Sequence, residues 1–155
     1  MGREWTNGPK GCTKAWESSK NGEARAVAPR RSRFFSALLA VVAVVFFALA
    51  VSRAVYDITS PADWPFHVLL RKSYSLIAFA IVGYLYAEAG AERGRAIPAP
   101  TAGIVTAIYS AAIEVGQRLV GSTEGLLSNG IDVACGLVGG AIGAALAAVR
   151  RRLAA

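Results

Sequence analysis

Five polar side chains stand at the ends of otherwise apolar stretches: Lys72, Glu114, Gln117, Arg118 and Asp132. Ionisable groups inside or beside a bilayer are costly, so they mark either a functional site or interhelical glue. As a binding set, Lys72 and Arg118 would meet anionic headgroup oxygens. Glu114, Gln117 and Asp132 would orient them through charge-assisted hydrogen bonds. As an enzyme, Glu114 would be the general base and Asp132 the acid or a metal ligand, since two carboxylates in different environments can divide such roles. No Ser-His pair, phosphatase-like signature or metal-ligand spacing accompanies them, so the binding set ranks first and no catalytic residue is assigned. His67 has no second His or Cys nearby, and Cys12 and Cys135 form no CxxC pair. No metal or cofactor is expected.

Each of these residues also has a plainer role. Glu114 and Arg118 are spaced i,i+4 and can pair along one helix. Gln117 suits an interhelical hydrogen bond. Asp132, at the head of a helix, gains about 0.3–1 kcal/mol from the helix dipole. Lys72 and its neighbour Arg71 can anchor a helix at the headgroups.

The elements that must position these residues are apolar blocks. The chain has 155 residues, 54% of them apolar and 17% charged, with a net charge of +7. Residues 1–33 carry eight of the seventeen Lys/Arg and no apolar periodicity, which predicts a disordered basic tail. The run 34–55 is long enough to span a hydrocarbon core of about 30 Å and shows no polar stripe. Helices are predicted at about 34–55, 68–88, 101–120 and 131–149, with a basic end at 150–155. Between the first two, Pro61 and Pro65 break the chain, and Tyr56, Trp64 and Phe66 suit a membrane interface. The third helix is the least apolar. The fourth carries a stripe of Gly136, Gly139, Gly140 and Gly143, two overlapping GxxxG patterns that favour close packing within a bundle or between protomers. The fold class is all-α: an integral membrane four-helix bundle. The positive charge gathers beside apolar blocks rather than in a patch interleaved with exposed aromatics, so no nucleic acid is expected as a partner.

Thirteen Lys/Arg fall on the side that holds both termini and four on or near the other. The positive-inside rule then puts the N- and C-termini in the cytoplasm of a multi-pass protein of the inner membrane. Lys72, Glu114, Gln117, Arg118 and Asp132 lie toward the extracytoplasmic leaflet, and no comparable cluster is expected in the cytoplasmic halves. That favours a polar pocket opening outward over a channel or a pump.

The order Glu114-x-x-Gln117, loop, Asp132, then a Gly139-containing stripe resembles the VanZ-like family of small bacterial membrane proteins, and Lys72 resembles the start of that family's first motif. Over roughly residues 36–148 the order and helix placement agree. Ser75 stands where the family has His, Leu126 where it has Arg and Gly136 where it has Asn. The resemblance implies a polytopic, envelope-related protein with a glycopeptide-resistance type of role.

Three functions remain open. One is a membrane module whose pocket binds an amphiphile, such as a lipid-linked cell-wall precursor. The others are an intramembrane enzyme on lipid-linked substrates, and a structural subunit docking a second copy or another membrane protein through the fourth helix. All share the bilayer as partner. The topology predicts that, in a Cys-free background, an impermeant thiol reagent added outside labels Ser122→Cys and spares Ala99→Cys. Labelling of Ala99→Cys alone would invert the protein.

Overall fold

The computed structural model describes residues 33–52, 55, 67–121 and 126–154. The tail and the Pro61/Pro65 loop lie outside the described residues, as does the tip of the loop before the last helix. The described residues form four helices, α1 (Phe34–Val51), α2 (His67–Glu92), α3 (Ala99–Leu119) and α4 (Leu126–Leu153), and no strand. The chain is an all-α bundle.

The described core is built mostly of small residues, with Phe79, Val82, Leu85 and Ile113 as its large members, and many bulky apolar side chains face outward. α3 buries Ala102, Gly103, Thr106, Ser110 and Ile113 and exposes Ile104, Ile108, Val115 and Leu119. α4 buries Ala144 and Ala147 and exposes Leu137, Val138, Ile142 and Leu146. Small residues inside and bulky apolar residues outside are what an apolar solvent selects, because lipid does not drive large side chains inward and close helix approach does the work instead. α1, α2 and α4 contain stretches long and apolar enough to cross a membrane: Phe34–Val51, Lys72–Glu92 and Ser128–Leu153. α3 has comparable length at 21 residues and is not among these stretches. Its two hydroxyl residues on the buried face are covered, Thr106 at 0% and Ser110 at 1% exposure.

α4 is the central element, between α2 and α3. A Cβ at Gly139 would meet Leu76 O, and one at Gly143 would meet Ala80 O and Tyr84 N, all backbone atoms of α2. A Cβ at Gly136 would meet Thr106 O, and one at Gly140 would meet Thr106 and Ala102 O of α3. The four glycines therefore form two rows, one against each neighbour. α2 and α3 reply with Gly83 against the backbone of Gly140 and Gly103 against Leu137 O. The Thr106 hydroxyl closes the α3–α4 seam, 2.7 Å from Gly136 O.

α1 buries no residue fully and is held from the side. No side chain of its own caps its N-terminus. Glu92 of α2 does so instead, accepting from Phe35 N (2.8 Å) and Ser36 N (3.1 Å), two of the donors that a helix start leaves unpaired. Tyr109 donates to Ala43 O midway along α1, and Gln117 Nε2 donates to Ala50 O (2.9 Å) in its last turn.

The helix boundaries differ from the sequence reading for local reasons. α2 runs past Glu88 to Glu92, because its stop is Gly94 (φ 73°) rather than Gly90. Arg95 N bonds Gly90 O and Gly94 N bonds Ala91 O, the paired closure of a Schellman motif. α4 starts at Leu126 instead of 131, through a Ser-Asn-Gly run with weak helix propensity, and continues to Leu153 through the three arginines. α1 ends at Val51, with Ser52 in an extended conformation.

Gly143→Ala is expected to destabilise the bundle by about 1–3 kcal/mol, because its methyl would meet helix backbone that cannot yield. Gly130→Ala, with nothing within 4 Å, is expected to stabilise α4 by about 0.5–1 kcal/mol. Thermal unfolding of both variants in detergent checks the contrast.

Candidate ligand-binding site

The starts of α2 and α4 and the ends of α1 and α3 meet at one end of the bundle. Lys72 Nζ lies 2.6 Å from Asp132 Oδ2, and it also donates to Ser128 O (3.2 Å) and Ser128 Oγ (3.1 Å). Both charged side chains are nearly buried, at 11% and 12% exposure. Their mutual attraction offsets desolvation that neither could bear alone. The arrangement comes from helix register. Ser128 and Asp132 are four residues apart on α4, so their polar atoms stack on one face toward the first turns of α2.

Beside this pair a cavity of about 250 Å³ opens where all four helices converge. α1 contributes Phe46, Leu49 and Ala50, and α2 contributes Tyr74, Ser75, Ala78 and Phe79. Ser110, Ile113, Glu114 and Gln117 come from α3, and Asp132 from α4. Phe79 of this lining stacks edge to face on Tyr109, 6.3 Å between ring centroids. Ser75, Ser110, Glu114, Gln117 and Asp132 are the aliphatic polar side chains of a lining that is otherwise mostly apolar.

Of the sequence-selected residues, Glu114, Gln117 and Asp132 line the cavity, and Lys72 adjoins it through Asp132. Arg118 does not join them. It is exposed on α3 and forms no ion pair with Glu114. Gln117 already donates its amide N–H to Ala50 O, so its interhelical role is filled within the chain. Ser75 lines the cavity at the position where a His was the family expectation. Gly136 packs against α3 and has no side chain to offer the site. Among the described residues no group of three His, Cys, Asp or Glu could hold a metal ion.

Sequence reasoning missed Ser128 and Asn129. Asn129 is 8% exposed, and its Oδ1 meets no hydrogen-bond donor among the described residues. The turn-like Ser-Asn-Gly composition hid the i,i+4 spacing that links Ser128 to Asp132.

The expectation that the opposite end carries no comparable cluster is corrected. Glu88, 6% exposed, lies 3.1 Å from Arg151 and 3.7 Å from Arg150, and Arg150 donates to Tyr84 OH (2.6 Å). Tyr84, Glu88 and Glu92 recur every four residues and so share one face of α2. That spacing was the available signal. The arginines at 150–152 are part of α4, held in helix by these contacts.

The chain was compared with protein-family models, curated proteins and solved structures, and none of the three comparisons gives a match.

Lys72→Met and Asp132→Leu are each expected to cost about 3–5 kcal/mol of stability, since each strands the other charge in a nearly buried site. The double variant is expected to recover most of the loss. A thermal-unfolding double-mutant cycle in detergent measures the coupling, and strictly additive losses would show that the pair is not a unit.

Proposed function

We propose that the chain is a divergent VanZ-like integral membrane protein whose pocket binds the polar end and first chain segment of an amphiphile. A lipid-linked envelope precursor or the acyl tail of a lipoglycopeptide has that chemistry. The observation that carries the reading is the cavity at the meeting of all four helices, mostly apolar in its lining and carrying Ser75, Ser110, Glu114, Gln117 and Asp132 as polar groups. Binding sites for small molecules combine apolar walls with a few convergent polar groups in this way. Lys72, already bridging Ser128 and Asp132, supplies a cation beside the cavity, and Glu114 supplies a carboxylate in its lining.

The orientation belongs to the same reading. The excess of Lys/Arg on the terminal side supports an orientation with both termini in the cytoplasm and the cavity toward the extracytoplasmic leaflet of the inner membrane, where envelope precursors are displayed. The enzyme reading ranks lower because Asp132 Oδ2 is held by Lys72 at 2.6 Å, which suits an orienting group better than a proton donor. Docking through the glycine face of α4 ranks lower because those glycines are covered by α2 and α3.

In nanodiscs, a fluorescent polyprenyl phosphate is expected to bind the wild-type protein saturably. Ala78→Phe, which fills the cavity, should abolish binding. Full binding by Ala78→Phe in a folded protein would rule out the cavity as the site.

A further inference from the structure

The end of the bundle opposite the cavity collects arginines from three separate segments. Arg33 precedes α1, Arg93 and Arg95 form the α2–α3 turn, and Arg150, Arg151 and Arg152 close α4. Two contacts fix these segments at one level: Glu92 of α2 caps the start of α1, and Glu88 of α2 pairs with Arg150 and Arg151 of α4. Six arginines therefore ring this end against two glutamates, both already engaged within the chain. Arg33, Arg95 and Arg152 are exposed and have no carboxylate within ion-pair distance among the described residues. Arg150 is anchored by Tyr84 OH at 2.6 Å and Glu88, yet its side chain is 59% exposed.

We infer that this ring is a binding surface for the phosphodiester headgroups of anionic phospholipids in the adjacent leaflet. Three physical points support it. A guanidinium presents five N–H donors in a planar fork matched to phosphate oxygens, so one carboxylate partner leaves donors for a second anion. Glu88 and Tyr84 hold Arg150 in place before any lipid arrives, which lowers the ordering cost of binding. The ring is bordered by apolar side chains that face outward, Phe34 at 60% and Leu153 at 84% exposure, so a headgroup on the arginines has acyl-chain contacts directly beside it. A nucleic acid would use the charge but leave Phe34 and Leu153 uncovered. The lipid uses both. The surface is independent of the cavity, which lies at the other end of the helices.

The test uses the full-length protein in nanodiscs of phosphatidylcholine carrying spin-labelled phosphatidylglycerol or spin-labelled phosphatidylcholine. The motionally restricted fraction of each label gives the headgroup preference. The wild type is expected to favour phosphatidylglycerol several-fold, and the preference should shrink on raising salt from 0.05 to 0.5 M. Arg95→Gln combined with Arg152→Gln should remove most of it, since each basic residue taken from an anionic surface is worth about fivefold. The melting temperature should not change, because among the described residues neither has a carboxylate within ion-pair distance. Arg95→Lys combined with Arg152→Lys should keep most of the preference. An unchanged preference in the double Gln variant overturns the inference. So does a wild type that shows no preference but retains a 20-nucleotide single strand at the same salt. Failure of polyprenyl phosphate to bind the cavity would leave this result untouched, so the two readings fail separately.

Discussion

The close approach of α4 to the backbones of α2 and α3 is the constraint on which the rest of the structure depends. Gly139 and Gly143 admit the α2 backbone, and Gly136 and Gly140 admit that of α3. In a bilayer there is no hydrophobic gain from moving a large side chain inward, so contact between helices rests on dispersion and hydrogen bonding at short range. Short range needs small residues. The residues at 0–1% exposure that define the core are alanines with Thr106 and Ser110, not leucines or phenylalanines. The Thr106 hydroxyl reaches Gly136 O only because no side chain intervenes at that crossing.

That central seam brings the charged groups together at both ends of the bundle. With α2 and α4 fixed in register, Lys72 faces Asp132 at one end and Glu88 faces Arg150 and Arg151 at the other. The two clusters differ in kind. Lys72 and Asp132 are both nearly covered and border a cavity, whereas Arg150 and Arg151 remain partly open beyond a buried Glu88. Desolvation explains the difference. A pair closed on both sides can rigidify a site mouth, and a buried carboxylate beneath open guanidiniums leaves positive charge at the surface.

α1 shows how loosely a very apolar helix can be attached. It has the highest mean hydropathy of the candidate spans and no fully buried residue. Its fixed points are polar contacts supplied by its neighbours: Glu92 at its start, Tyr109 in the middle and Gln117 at its last turn. Each satisfies a backbone group of α1, and in apolar surroundings such a bond has little competition from water. The cavity lies under this helix, so its α1 wall is held by hydrogen bonds at intervals rather than by interlocked side chains.

Four helices, their approximate centres and the small-residue faces were legible in the chain, because each depends on composition and period within a single segment. So were Glu114, Gln117 and Asp132 as neighbours, since polar groups at matching ends of consecutive helices can only lie at the same end of an antiparallel bundle. What the tertiary structure decided is which polar group meets which. Lys72 joins Ser128 and Asp132, Arg118 is left exposed, and Glu88 and Glu92, unremarkable in sequence, tie α2 to α4 and α1. The physical reason is rotation. Sequence fixes how far along the bundle a residue lies, at about 1.5 Å per position. The angle at which its side chain leaves one helix relative to the next is set only when glycine rows lock the helices together.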